Sequence, residues 1–322
     1  MSLEKIINNA WEIKDQVNPN SDQSLKDAVN QVIADLDSGK SRVAEKIKGE
    51  WVTHQHLKKA IMLSFRIYPM ENLNQAIKEM INDLNEGKIS IAEKQGNDWK
   101  VNGWVQKGIL LSFRVNKRKI ISGPYNAWND FEHLPGKTAG WTEKEFEKTG
   151  FRLIPNAVVR NGCFVGRGAV IMPNSFMNIG SHLGERSMLD GGARLGSGSY
   201  LGDDCHLSGG AALGGILEPY GSRPTIVEEK SFIGANAEIA EGVIVRKGSV
   251  ISMGCQIGKS TKIVNRETGE ITTGEVPEGS VVVPGTLPSK KPGGPNLYCV
   301  VIIKQVDEKT RSKTSLNDLL RD

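Results

Sequence analysis

Three titratable side chains each adjoin an aliphatic residue of one regular sequence rhythm: Asp190, His206 and Glu238. A carboxylate or an imidazole that is held in a cleft can take a proton from an attacking nucleophile, which accelerates a reaction by roughly 10²- to 10⁴-fold. By residue type alone, a solvated turn or surface residue remains the simpler interpretation of each. Their significance therefore depends on the element that positions them.

The rhythm places an aliphatic residue at every sixth position, as in Leu183, Leu189, Leu195, Leu201, Leu207 and Leu213. Helices repeat every 3.6 residues and strands every two, so neither alone explains a period of six. A coil with three flat faces does, because each corner can send one side chain inward and about 18 residues complete a turn. Glycines that directly follow inward residues, such as Gly184 and Gly196, suit tight bends. The pattern predicts a parallel β-helix, and it leaves the handedness open.

The coils extend from Val159 to Ile263, which is room for almost six turns. The interval from Leu213 to Val227 is 14 residues, two more than two repeats, so we expect a looped-out corner there. Asp190 directly follows inward-pointing Leu189. We therefore expect it at a corner that faces out of the coil.

An internal duplication precedes the coils. Residues 25–67 recur without a gap as residues 73–115, with 17 of 43 positions identical, including the pair Trp51 and Trp99. Each copy reads as a helix that ends at a glycine, a strand-like piece with a tryptophan, and a second helix. The second copy is interpreted either as an enlargement of the helical cap or as an added recognition surface.

These patterns divide the chain into four parts. We expect a helical domain over residues 1–120, a connector over 121–150 with one short helix, and the β-helix over 151–275. A C-terminal extension over 276–322 contributes closing strands and a short terminal helix that begins near Ser315. The fold class is thus mainly β, with an N-terminal α-helical domain.

Composition limits the kind of protein. The 322 residues are 38% hydrophobic and 24% charged, and the net charge of +4 is spread along the chain without a Lys/Arg cluster that would mark a nucleic-acid surface. No apolar run reaches the roughly 18 residues of a membrane helix, and the N-terminus lacks the apolar core of a signal peptide. We therefore expect a cytoplasmic protein that binds neither nucleic acid nor membrane. The four cysteines have neither disulfide nor metal-ligand spacing, so we expect reduced thiols and no metal.

The chain resembles the tetrahydrodipicolinate N-succinyltransferases, a family of hexapeptide-repeat acyltransferases of lysine and diaminopimelate synthesis. The stretches that carry the resemblance include "HLSGG", "EGVIVRKGSVISMG", "RETGEI", "GSVVVPGTLPSK" and "LYCVVIIKQVDEKTR". It covers nearly the whole chain except one helical copy, and the flanks outside the repeats make it specific. The resemblance implies a left-handed β-helix that assembles as a homotrimer, with active sites in the clefts between neighbouring coil domains.

The resemblance also implies an activity: succinyl transfer from succinyl-CoA to the amine of tetrahydrodipicolinate in its acyclic amino-ketone form. The family's acidic catalytic pair falls on Asp190 and Glu238, and its arginine for a substrate carboxylate falls on Arg152, with Asp190 also touching substrate. His206 would then support the site instead of acting as the base. Coenzyme A is expected along the coils, at Gly234, Ala235, Ser252, Gly254 and Lys290.

The sequence departs from the family beside the expected catalytic pair. Gly191 and Gly192 stand where the family has Thr and Trp, and Asn236 stands where it has Arg. Because an arginine binds a carboxylate through two parallel hydrogen bonds, its absence bears on which acyl group is recognised. An acyltransferase that uses acetyl-CoA or another amino-acid amine therefore stays open. A non-catalytic β-helix scaffold is the third alternative.

Overall fold

The computed structural model describes residues 2–47, 50–68, 70–122, 129–289, 291–308 and 310, and a prism of short strands forms its largest part. The prism begins with 17 two-residue strands: β7 (Arg152–Leu153), β8 (Val158–Val159), β9 (Phe164–Val165), β10 (Val170–Ile171), β11 (Phe176–Met177), β12 (His182–Leu183), β13 (Met188–Leu189), β14 (Arg194–Leu195), β15 (Tyr200–Leu201), β16 (His206–Leu207), β17 (Ala212–Leu213), β18 (Ile226–Val227), β19 (Phe232–Ile233), β20 (Glu238–Ile239), β21 (Ile244–Val245), β22 (Val250–Ile251) and β23 (Gln256–Ile257). From β8 onward, the second residue of each strand is the aliphatic residue of the rhythm, and its side chain is buried in the interior.

Every third strand pairs in parallel, so the prism has three faces. We call them the first sheet (β7, β10, β13, β16, β19, β22), the second sheet (β8, β11, β14, β17, β20, β23) and the third sheet (β9, β12, β15, β18, β21). One turn therefore advances a single strand spacing, about 4.8 Å, and equivalent residues of successive turns stack in columns. The parallel β-helix predicted from the rhythm is confirmed, and the looped corner lies between β17 and β18 as expected.

Glycines at the bends are required by the stacking of turns. A Cβ added to Gly184 would lie 2.3 Å from the carbonyl carbon of Gly202, and one added to Gly196 would lie 2.2 Å from the backbone nitrogen of Gly215. Any side chain there would force successive turns apart.

Five strands close the upper end of the prism: β24 (Lys262–Asn265), β25 (Ile271–Thr272), β26 (Glu275–Val276), β27 (Ser280–Leu287) and β28 (Leu297–Gln305). Strand β26 extends the third sheet and β27 extends the first, while β28 pairs antiparallel with β27. The two closing strands predicted from the sequence are confirmed. The predicted terminal helix lies outside the described residues.

An aromatic cluster covers the first turn. Helix α6 (Glu143–Thr149) begins with a capping box formed by Thr142 and Glu145. The rings of Trp141, Phe146 and Phe151 lie 5.2 to 6.0 Å apart and pack against the apolar interior. This cluster seals the end of the column where no further turn follows.

The two helical copies have the same element order. The first consists of α2 (Gln23–Asp37), β1 (Ala44–Ile47), β2 (Glu50–Thr53) and α3 (Gln55–Ile67), and the second of α4 (Met70–Asn85), β3 (Ala92–Gln95), β4 (Asp98–Val101) and α5 (Gly103–Val115). Helix α1 (Leu3–Glu12) and a 3₁₀ turn (Lys14–Gln16) precede them, and a hairpin of β5 (Lys119–Ser122) and β6 (Asn129–Glu132) follows. The chain forms two compact units, 1–76 and 77–322. In the first, Ile7, Val29 and Leu63 belong to a separate apolar core.

The second copy packs on the third sheet through a buried carboxylate. Glu228 Oε1 accepts hydrogen bonds from Trp99 Nε1 at 3.0 Å and from the guanidinium of Arg246 at 3.1 Å, and it lies 3.2 Å from Lys94 Nζ. Its Oε2 accepts from the backbone N–H of Lys247 at 3.1 Å. Burial alone would raise the pKa of Glu228, but these donors hold it below its usual value.

Three rings stack along the same sheet. The His182 ring centroid lies 4.5 Å from that of Phe164 and 4.2 Å from that of Tyr200, with nearly parallel planes to the latter. Its Nδ1 is buried and has no hydrogen-bond partner among the described residues. Burial lowers the pKa of His182 to about 3, so the ring is neutral in the folded protein at pH 7.

We expect the Glu228→Gln variant to lose about 3 kcal/mol of unfolding free energy, because Arg246 and Lys94 would then face an amide that cannot neutralise their charge. Urea titration followed by circular dichroism measures this. The matched control is Glu229→Gln, whose side chain is 34% exposed, and a change below about 1 kcal/mol is expected for it. Equal losses in the two variants would contradict a special role for Glu228.

His182 makes folding stability depend on pH. The unfolded ring takes up a proton as the pH falls through about 6.5, whereas the folded ring does so only near 3, so its contribution is complete above pH 6.5 and decreases below it. Between pH 7 and pH 5 this amounts to about 2 kcal/mol. In His182→Phe, the difference in unfolding free energy between these two pH values should shrink by that amount. An unchanged difference would contradict the burial of a neutral ring.

Candidate active site

Five of the site candidates, Asp190, Gly234, Ala235, Ser252 and Gly254, lie along one edge of the prism, the corner where the first sheet passes into the second. Each turn contributes four residues to this corner, and strand pairing sets them in register. The six stacked segments are 154–157, 172–175, 190–193, 208–211, 234–237 and 252–255. Asp190 is the first corner residue of its turn, as predicted from its place after Leu189.

Asp190 is held by two contacts. Its Oδ1 accepts a hydrogen bond from the backbone N–H of Gly191 at 2.7 Å, and its Oδ2 lies 3.4 Å from Nε2 of His206. The Asp190 side chain keeps 35% of its surface exposed. The carboxylate is thus oriented by the protein and accessible to a ligand.

His206 comes from the next turn of the first sheet. Strand pairing places His206 directly above Met188, and Asp190 follows Met188 by two residues in the sequence. The imidazole also packs edge-on against Phe232, with ring centroids 5.2 Å apart. Burial lowers the pKa of His206, and the neighbouring Asp190 opposes this only in part, so the ring is neutral at pH 7. A neutral ring with its proton on Nε2 donates to Asp190.

Glu238 lies apart from Asp190. It is the exposed first residue of β20 on the second sheet, two turns above β14, with Ala212 between the two strands. Strand spacing separates the two turns by about 10 Å. Within one chain, the carboxylates of Asp190 and Glu238 therefore lie on either side of a stretch of the corner and do not converge on one ligand atom.

The expected coenzyme positions share this corner. Gly234 and Ser252 are stacked above Asp190 as first corner residues of later turns, and Ala235 and Gly254 lie beside them. The N–H of Gly254 donates to the carbonyl of Ala235 at 3.0 Å. Lys290 lies outside the described residues.

Arg152 is on the first sheet, two strand spacings below Met188 and therefore about 10 Å from the turn of Asp190. It is exposed and has an interaction within the described structure. The structure places it at the lower end of the same face, away from the corner itself.

Two features of the corner were missed in the sequence. One is Arg194, an exposed outward residue of β14 that follows Asp190 by four positions. The other is Gly209, whose backbone N–H has no acceptor among the described residues. The glycine pairs 191–192 and 209–210, which are 18 residues apart, were the signal that could have located both.

The described residues contain no group of three or more His, Cys, Asp or Glu side chains arranged to hold a metal ion. All four cysteines are unpaired and buried. Among the same residues, no helix combines the length and the apolarity needed to cross a lipid bilayer.

Comparisons with known proteins identify the sequence class. A family model described as "Tetrahydrodipicolinate N-succinyltransferase N-terminal" matches residues 2–67 and again 69–115, and one described as "Hexapeptide repeat of succinyl-transferase" matches residues 224–259. The first match contains helix α1 and the first helical copy, and the second match contains the second copy. The left-handed parallel β-helix expected from the resemblance is the fold of this chain.

Curated relatives match over the full length. The 2,3,4,5-tetrahydropyridine-2,6-dicarboxylate N-succinyltransferase of Pelagibacter ubique is 49% identical over 99% of both chains, and that of Proteus mirabilis is 47% identical over 99% of this chain and 98% of its own. Among solved structures, a putative N-succinyltransferase of Campylobacter jejuni is 12% identical, with a TM-score of 0.40, covering 97% of this chain and 84% of its own. On the two full-length sequence matches, the chain belongs to the tetrahydrodipicolinate N-succinyltransferase family.

Proposed function

We propose that the chain transfers the succinyl group of succinyl-CoA to the amine of tetrahydrodipicolinate, in its acyclic amino-ketone form, within lysine and diaminopimelate synthesis. Family membership supports the reaction. The observation that carries it is the oriented and accessible carboxylate of Asp190, which lies beside a stretch of bare corner backbone.

The chemistry requires a base and an aligned nucleophile. An amine of pKa 7.7 to 8.0 is neutral in about a tenth of molecules at pH 7, so forming the nucleophile costs only about 1 kcal/mol. As the amine nitrogen bonds to the thioester carbon, Asp190 accepts the proton that the nitrogen must lose. The carbon–sulfur bond then breaks, and the protonated Asp190 gives its proton to the departing sulfur, which restores the carboxylate. His206 keeps the carboxylate directed at the nucleophile through its Nε2–H.

Backbone donors of the corner suit the acyl-CoA. The backbone N–H groups of Gly209 and Ala235 have no acceptor among the described residues, so each can donate a hydrogen bond to an oxygen atom of a ligand. The Gly209 N–H, one turn above Asp190, is the closer donor for the negative oxygen that develops on the thioester carbonyl. Gly234, Ser252 and Gly254 would line the path of the coenzyme farther up the corner.

Glu238 and Arg152 complete the proposal. Glu238 faces outward on the second sheet and serves as the second acidic group. Arg152 binds a substrate carboxylate. Because both lie about 10 Å or more from Asp190 along the prism, clefts between neighbouring prisms of a homotrimer would bring such groups together. The trimer and the cytoplasmic location stay predictions.

A different acyl donor is the second candidate, and Asn236 favours it. Its Oδ1 covers Gly210, lying 2.4 Å from where a Cβ of that residue would be. A neutral amide there offers no charge to the free carboxylate of a succinyl group. Release of thiol from succinyl-CoA and from acetyl-CoA, each with tetrahydrodipicolinate and with a panel of amino acids, decides between the donors. No thiol with any pair would refute both candidates.

We expect Asp190→Asn to lower kcat by at least about 10²-fold, because an amide cannot accept the proton. Steady-state kinetics with the better donor measures this, and circular dichroism checks the fold. Asp203→Asn is the matched control: this aspartate also accepts a backbone N–H at a turn, from Glu185, but at another corner. Unchanged turnover in folded Asp190→Asn would remove Asp190 from catalysis.

His206 is expected to act through Asp190. His206→Leu removes the donor, and a fall of about tenfold in kcat is expected since one hydrogen bond to a charged group is lost. His206→Gln keeps an N–H near the position of Nε2 and should retain most of the activity. If both variants lose more than about 10²-fold, with equal effects, His206 would itself be the base.

A further inference from the structure

The corner that holds Asp190 has a gap in its outer surface. Its second position is occupied by Pro155 and Pro173 in the lower turns, and by Ala235 and Met253 in the upper ones. Only the two turns between them have glycine there, at positions 191 and 209. Three strand spacings separate Pro173 from Ala235, so the gap between these side chains is about 14 Å tall.

The fold does not require these two glycines. A Cβ on Gly191 would have Pro173 O at 3.8 Å as its nearest neighbour, and a Cβ on Gly209 would have Gly191 O at 3.4 Å. Neither has a left-handed φ, in contrast to Gly192 and Gly210 beside them. Both also differ from Gly184, where a Cβ would strike backbone. We call the surface over Gly191, Gly192, Gly209 and Gly210 the glycine notch.

Opposite charges border the glycine notch. The Asp190 carboxylate lies on the side of the first sheet, and Arg194 lies on the second sheet in the same turn. Arg194 is exposed, and its guanidinium makes no hydrogen bond or ion pair with any residue that the structure describes. Its upward neighbour in the sheet is Ala212, which has a short side chain, and Glu238 follows one strand farther up.

A molecule that matches this arrangement has an amine at one end of a carbon chain and a carboxylate farther along it. The amine belongs next to Asp190, which takes its proton. A guanidinium binds a carboxylate through two parallel hydrogen bonds, and bare glycine backbone lets the intervening carbons approach closely.

We propose that the glycine notch holds the carbon chain of the amine substrate and that Arg194 binds one of its carboxylates. This inference rests on the proposed function, since it needs an amine acceptor at Asp190. It adds a specificity-determining residue, Arg194, and explains why two turns of the corner lack side chains.

The test is steady-state kinetics of Arg194→Gln and Gly191→Ala in the full-length protein. In Arg194→Gln the KM for tetrahydrodipicolinate should rise 10- to 100-fold, as expected for loss of a charged hydrogen-bonded pair, while the KM for the acyl-CoA stays within twofold. Gly191→Ala should raise the same KM by narrowing the notch. Matched controls are Arg114→Gln, an exposed arginine of α5, and Gly136→Ala, where a Cβ also has room, 3.6 Å from Val159 O.

A second measurement isolates the carboxylate. With the two monoamides of the acyclic amino dicarboxylate as alternative substrates, the effect of Arg194→Gln should persist for one monoamide and vanish for the other. An effect that persists for both, or an unchanged KM for tetrahydrodipicolinate, overturns the assignment of Arg194.

The notch could instead receive a side chain of a second copy of the chain. Light scattering after gel filtration separates the two cases: Gly191→Ala should keep the oligomeric state of the wild type, and a shift to smaller species overturns the proposal. If the wild-type protein releases no thiol with tetrahydrodipicolinate, the proposed function fails. If it does and both variants keep the wild-type KM, only this inference fails.

Discussion

Burial of the inward aliphatic column is the constraint on which the prism depends. A single turn exposes its three inward side chains above and below, and only another turn stacked in register covers them. This stacking also places every corner residue directly above the equivalent residue of the preceding turn. Asp190, Ser208, Gly234 and Ser252 therefore form a vertical row, and the site is a line of residues that are 18 or more positions apart in sequence.

Much of the fold could be predicted because the six-residue spacing of aliphatic residues directly identifies the side chains that pack in the interior. Each aliphatic residue from Val159 to Ile257 is buried where the phase of six places it. The order of elements in both helical copies could also be predicted, because Gly39 and Gly87 mark the ends of their helices. Both glycines have left-handed φ angles, of 74° and 71°. The handedness of the coil could not be predicted, because the phase is the same for either hand.

Less of the candidate active site could be predicted from the sequence. Asp190 could be placed at a corner, but its approach to His206 depends on the pairing of β13 with β16, which sets residues 16 apart side by side. The glycines at 191 and 209 look like ordinary turn residues until the stacked prolines and alanine show that side chains fit at this position. Arg194 was missed for a similar reason: an outward charged residue on a strand carries no signal until its surroundings show that no partner is supplied.

The aromatic cluster of Trp141, Phe146 and Phe151 has a consequence for behaviour at high concentration. Parallel strands that end in mid-ladder present unpaired backbone groups, and an uncovered first turn would let another prism continue the stack. Here the N–H of Lys137 donates to the carbonyl of Val159, and the rings close the apolar interior at this end. By covering the apolar interior, the cluster removes a surface on which the first turn of another prism would otherwise stack.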